Sequence, residues 1–299
     1  MHRRLLNRPL LVALTAGTLL TACGSAAHHT RIAGAPRPLP SPAAQVPPAG
    51  PGAPSAAALP PARSPVGAKT TAQRVTAAVR GATTDPQVQL DVAVVDTGTG
   101  MSVHVGAGTP VRAASLTKLV IYLAGPGRGR DPGAAAMIER SDNDAATRLW
   151  HAAGGDPALQ QVLNQAGMEH TTQAPPLLLP WDGWVTTARD QLRLLKRIDT
   201  GSGATVTSLR TLMAQVEPEQ NWGAGRVPGA SAAMVKNGWL PVDGSWVVNT
   251  DGCLTAVNRH RVCVAVTSHG AATMAAGVAQ VQAVTDAAVR SLLSPAATG

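Results

Sequence analysis

Of the four lysines in this 299-residue chain, two stand where a lysine can do chemistry. Lys118 closes Ser115-Leu116-Thr117-Lys118, and on a helix that spacing puts the hydroxyl and the amine on one face. A serine becomes a nucleophile only beside a base, and a lysine can be that base once burial and a nearby positive charge lower its pKa. Lys236 opens Lys236-Asn237-Gly238-Trp239 on a predicted strand, and between the two lysines Ser141-Asp142-Asn143 opens a predicted helix. Taken singly, each motif has a plain structural meaning: an N-cap for the serine and aspartate, a strand end and turn for the lysine and glycine. Taken in order, they place two hydroxyls and two amines on elements that can converge. The chain carries 21 arginines, so lysine at 118 and 236 is not a habit of composition. Lysine can lose its proton where arginine cannot.

The elements that must position these residues follow from the pattern. Residues 68–81 read as a helix, and strands follow at 88–96 and 101–106 around the turn Thr97-Gly98-Thr99-Gly100. Helices are predicted at 115–123, 133–139, 142–153, 157–166, 186–198 and 204–215. Strands return at 231–237, 245–250, 253–258 and 261–268, and an Ala/Val-rich helix closes the chain from about 271 to 293. The order implies an α+β fold: a five-stranded antiparallel sheet flanked by the N- and C-terminal helices, with an inserted all-α subdomain. The α/β part covers 66–111 and 230–299, and the helical part 112–229. Cys253 and Cys263 flank Asn258 symmetrically, so a hairpin centred there brings them face to face; two buried thiols are the other reading.

The net charge of +8 suggests nucleic acid until it is located. Residues 1–84 hold nine Lys/Arg and no acid, whereas 85–299 hold 16 Lys/Arg and 17 Asp/Glu. The predicted domain therefore has no net attraction for polyanions, and no nucleic-acid partner is expected. Arg3, Arg4 and Arg8 precede an apolar run, Pro9 to Thr21, too short to span a bilayer. It ends in Leu20-Thr21-Ala22-Cys23, which resembles the lipobox of bacterial lipoproteins and implies a signal peptide over 1–22 with lipidation at Cys23. Residues 24–65 hold 11 of the 24 prolines and no acid, so 23–65 reads as a tether that buries no core. Export to an oxidising compartment favours a Cys253–Cys263 disulfide.

S-x-x-K, then S-D-N, then K-[T/S]-G is the ordered motif set of the penicillin-recognising serine enzymes, and residues 66–299 resemble their class A β-lactamase-like branch. The resemblance implies that Ser115 attacks a carbonyl to form an acyl-enzyme, with Lys118 as its base. Ser141 would relay a proton to the departing nitrogen and Asn143 would orient Lys118. Lys236 would supply positive potential for a substrate carboxylate. Asn237 stands where the family has a carboxylate-binding hydroxyl; Gly238 would let substrate lie against the strand. The backbone N–H groups of Ser115 and Trp239 would form the oxyanion hole. Class A enzymes also carry a deacylating Glu before the third motif, but residues 171–178, Thr-Thr-Gln-Ala-Pro-Pro-Leu-Leu, offer no acid. Ser141 follows Ser115 by only 26 positions, which implies a trimmed helical part.

Other signals carry less. Asp96-Thr97-Gly98 has no second copy, so an aspartic dyad is excluded and a hairpin turn expected. The histidines show no metal-ligand spacing, and Gly125-Pro126-Gly127-Arg128-Gly129 lacks the Lys-Ser/Thr of a phosphate cradle. With no Phe, Trp181, Trp184 and Trp222 are expected to fill the core, the other reading being that they and Trp239 rim a cleft. The sequence thus predicts a monomeric, lipid-anchored serine hydrolase on the outer face of the cell membrane. It would take a small-molecule or peptide amide and need neither metal nor cofactor. A D,D-peptidase-like wall enzyme and a non-catalytic binding protein are the alternatives.

Overall fold

The computed structural model describes residues 65–125, 129 and 131–295. The expected signal peptide, Cys23, the tether to residue 64 and most of the Gly125–Gly129 loop lie outside the described residues.

Helix α1 (Pro65–Ala82) leads into β1 (Gln89–Asp96) and β2 (Ser102–Val105). Asp96 Oδ1 accepts from Gly98 N at 3.0 Å, which makes the D-T-G a hairpin turn. The chain returns to the same sheet as β6 (Ser231–Val242), β7 (Ser245–Thr255) and β8 (Arg261–His269) and ends in α8 (Met274–Leu293). The order is β2-β1-β8-β7-β6, with every pairing antiparallel and β6 on an edge. The two strands expected at 245–250 and 253–258 are the single strand β7. Gly252 sits inside it because an added Cβ would come within 2.7 Å of Met234 O and 2.5 Å of Ala224 Cβ. Strand β6 runs on to Val242 and turns through Asp243 and Gly244, both at positive φ (48° and 77°), as a two-residue hairpin requires.

The period of two assigns each strand residue to a face. Val92, Val94, Val262, Val264 and Val266 meet Val75 and Val79 of α1 and Val281 and Val284 of α8. Ala93, Val95, Cys253, Cys263 and Ala265 face the helical block. Cys253 and Cys263 are register partners and form a disulfide, as the hairpin argument anticipates.

The inserted part contains α2 (Thr117–Ala124), α3 (Pro132–Glu139), α4 (Asn143–Ala153), α5 (Asp156–Ala166), α6 (Ala188–Thr200) and α7 (Ala204–Met213). It is not purely helical. Strands β3 (Val111–Arg112), β4 (Thr172–Gln173) and β5 (Trp184–Thr186) form a second sheet in the order β3-β5-β4. This sheet ties the segment before Ser115 to the loop between α5 and α6. Trp181, Trp184 and Trp222 are all buried, as expected of a chain without Phe.

Candidate active site

Ser115 lies in one 3-10 turn, Ala114–Leu116, that runs directly into α2, so Lys118 falls in the first turn of the helix. Ala114, just before it, is at φ 51°, and Ser141 at φ 57°. Left-handed backbone costs a non-glycine residue about 1–3 kcal/mol, and such strain collects where a side chain must be aimed. The turn is braced from below. Asn249 of β7 donates from Nδ2 to Arg112 O at 2.9 Å, and its Oδ1 accepts from Ser268 N at 3.1 Å. Its register partner Gly238 lies against the same turn: a Cβ there would stand 3.0 Å from Ser115 N and 3.0 Å from Ala113 O. Only glycine lets the edge strand come this close to the serine's backbone N–H.

Three elements converge on Ser141. Lys236 Nζ donates to Ser141 Oγ at 2.8 Å, and Lys118 Nζ lies 3.0 Å from the same oxygen. Lys118 also donates to Asn143 Oδ1 at 2.8 Å and to the Ser141 carbonyl. The α4 cap makes this possible: Asp142 Oδ1 accepts from Ala145 N at 2.7 Å, starting the helix so that Ser141 and Asn143 flank the amine. Both lysines are fully buried. Burial lowers the Lys118 amine to about 7, although the Asp142 charge pulls it partly back up. Burial first, and the neighbouring Lys118 second, hold Lys236 well below the ordinary lysine range.

A neutral Lys118 can accept a proton from a hydroxyl, and Ser141 Oγ can pass one between the two amines. Ser115 Oγ makes no hydrogen bond to the described residues, so it is free to turn toward a carbonyl or toward Lys118. As the edge strand, β6 leaves its outer backbone groups available to a ligand.

Asn237 does not share this face. Its Nδ2 donates to Gln220 O at 2.7 Å and Trp222 O at 3.2 Å, so the side chain holds the loop beneath the strand, and only the backbone carbonyl of Asn237 meets Lys236, accepting from Nζ at 3.3 Å. Trp239 is likewise turned to the α8 side, its ring 6.2 Å from that of Trp222; only its backbone belongs to the cleft edge.

Two neighbours were not legible in the motifs. The indole of Trp181 lies over Lys118, its centroid 5.0 Å from Nζ. Asp251, the register partner of Lys236, is fully buried, and burial pushes its carboxyl well above the usual range. Neither of its oxygens has a hydrogen-bond partner among the described residues. The carboxylates nearest in sequence to the acid-free loop are no substitute for an acid inside it. Asp182 accepts from Leu177, Leu178 and Leu179 N at 2.8, 2.8 and 2.9 Å and so shapes the loop, while Glu169 is exposed at its start.

Known proteins place this geometry in context. LppW of Mycobacterium tuberculosis, a protein named as a lipoprotein, is 30% identical over 205 residues, 62% of this chain and 63% of its own. The chain thus spans less than two thirds of the length of that relative. A class A beta-lactamase from Bacteroides cellulosilyticus superposes with TM-score 0.63 at 16% identity, covering 74% of this chain and 98% of that one. PBP-A gives 0.62 at 21%, covering 78% and 98%. These structures share the fold. The model of the beta-lactamase enzyme family matches residues 133–292, more than half of the sequence, and the chain belongs to that family.

Proposed function

We propose that the chain is an exported, lipid-anchored serine hydrolase that forms an acyl-enzyme at Ser115 with a β-lactam or a related amide and releases it slowly. The observation that carries this reading is the Ser141 hydroxyl held between two buried lysine amines, 3.0 Å from one and 2.8 Å from the other. In this reading Lys118, lowered to about 7 and so neutral in roughly half the molecules at pH 7, takes the Ser115 proton as Oγ bonds to the carbonyl carbon. The backbone N–H groups of Ser115 and Trp239 receive the oxyanion, each such donor being worth about 3–4 kcal/mol. Ser141 then hands a proton to the leaving nitrogen and is resupplied through Lys118 or Lys236. Slow release follows from the lack of an acid in the stretch that precedes Trp181, the loop residue over Lys118. General-base catalysis contributes about 10²–10⁴-fold, and residues 171–178 contain no group to provide it.

A second reading, a D,D-peptidase-like enzyme acting on a cell-wall peptide, is favoured by the open edge of β6, to which an extended peptide could pair. Mass spectrometry of the full chain after exposure to benzylpenicillin tests the acyl-enzyme. One adduct on Ser115 is expected, and none in Ser115→Ala. An unmodified wild-type protein would instead indicate a binding protein without turnover. Anchoring through Cys23 is tested separately: Cys23→Ser should leave the membrane fraction.

A further inference from the structure

We infer that Trp181 sets the lifetime of the acyl-enzyme by closing the surroundings of Lys118 to water. The inference rests on the acyl-enzyme reading above. Three polar atoms occupy the hydrogen-bonding directions of the Lys118 amine: the Ser141 carbonyl, Ser141 Oγ and Asn143 Oδ1. The indole covers the same nitrogen at 5.0 Å. An indole has a single N–H and accepts no proton, so it can neither activate water nor hold it as an acceptor.

The ring is fixed. Trp181 is 2% exposed, and its Nε1 donates to Thr147 Oγ1 at 2.9 Å. Thr147 Oγ1 in turn donates to Asn143 O at 3.0 Å, so the ring is tied to the same turn of α4 that orients the lysine. The next residue, Asp182, clamps three backbone N–H groups of the loop. A ring held at both ends of its loop is a wall, not a lid.

The chemistry shows what the wall opposes. In hydrolysis, a water oxygen bonds to the acyl carbon and one water proton goes to a base. The bond from the acyl carbon to Ser115 Oγ then breaks, and the proton returns to Oγ, giving a free serine and a carboxylic acid. In acylation Lys118 can take the Ser115 proton because the two share one helix turn and the Ser141 hydroxyl, which Lys236 also holds at 2.8 Å, can give up its place on the amine. A water has no comparable approach while its neighbourhood is filled by three hydrogen-bond partners and an apolar ring. Acylation and release therefore respond differently to Trp181, whereas a mere packing residue would change stability and leave their ratio alone.

The full chain acylated with benzylpenicillin, with the decay of the adduct followed by mass spectrometry, separates the cases. In Trp181→Ala, and more so in Trp181→Glu, the adduct should decay at least tenfold faster, with the second-order acylation rate, compared at a pH above each variant's own acylation midpoint, within about threefold of wild type. Trp181→Phe should keep the wild-type lifetime within about twofold. Thr147→Val, which removes the hydrogen bond that fixes the ring together with the one Thr147 gives to Asn143 O, should shorten it by a smaller factor and serves if the larger truncations do not fold. Wild-type lifetimes in all folded variants that still acylate would overturn the role of Trp181. Failure of the wild type to acylate would remove the acyl-enzyme reading itself, and this inference with it.

Discussion

The two faces of one sheet do different work. Toward α1 and α8 the strands present Val92, Val94, Val262, Val264 and Val266, and the one carboxylate at the end of that row, Asp96, is held by His260 at 2.7 Å and is far from Ser115 in the strand order. Toward the helical block the same strands present Asp91, Ala93, Lys236, Gly238, Asn249, Asp251 and Ala265. The first face is packed for stability, since each buried apolar side chain contributes about 1.5–3 kcal/mol. The second combines apolar packing by Ala93, Val95, Cys253, Cys263 and Ala265 with buried groups that titrate. Small residues admit the Ser115 turn and the helices, while buried polar groups hold it in place at a desolvation cost. Stability and chemistry are thus divided by the pleat, at alternate residues of the same strands.

The division can be broken first at Lys118. Lys118→Met should slow penicillin acylation by at least about a thousandfold, because an unactivated serine is a poor nucleophile, while the melting temperature holds or rises as a buried amine gives way to an apolar chain. Fluorescent-penicillin labelling and calorimetry read the two effects together. The opposite pattern belongs to the valine face. Leu254→Ala should lose about 2–5 kcal/mol in denaturant unfolding yet acylate normally per folded molecule. Unequal acylation would mean that the faces are coupled. The disulfide lies on the helical face. Cys263→Ala opens a loop of ten residues and should cost about 2–3 kcal/mol, with the acylation rate unchanged.

The smallest and sharpest test is pH. Lys118 falls from 10.5 to about 7 on folding, so between those values the unfolded chain binds the extra proton. Its contribution to stability therefore improves as pH rises through that window, and Lys118→Met should remove this slope. Acylation should rise with a midpoint near 7. Asp142→Asn keeps a capping side chain but deletes the charge that raises Lys118, so the midpoint should move lower. An unchanged midpoint would show that Asp142 does not act on the amine.

Local features were legible because their causes are local. The Ser-Lys spacing, the Asp142 cap, the cysteines about Asn258 and the alternating apolar runs each depend on a handful of neighbouring residues. Asn249 and Trp181 were not, because cross-strand register and a loop closed by Asp182 bring them to the site. Strands β3, β4 and β5, of two or three residues, are too short to carry a period. Asn237 is different: period two already sets it opposite Lys236 and Gly238, and following the motif obscured that alternation. Continuous β7 was hidden by Asp251-Gly252, which looks like a turn and is accommodated by a neighbouring alanine instead.

The register of β1 bears on how the chain comes to be folded at all. Gln89 pairs with His269 and Asp96 with Val262, so the second strand in from one edge finds its partner only about 170 residues later. The β1–β2, β6–β7 and β7–β8 hairpins can each close locally and early, but the β1–β2 pair has no sheet to join until β8 exists. Contacts of such span slow folding, because loop entropy is lost before any pairing repays it. A chain emerging N-terminus first would hold two valine-rich strands without a sheet for most of its passage. Such strands are prone to pair with other chains, so the interval before residue 269 emerges is when this protein most needs a chaperone.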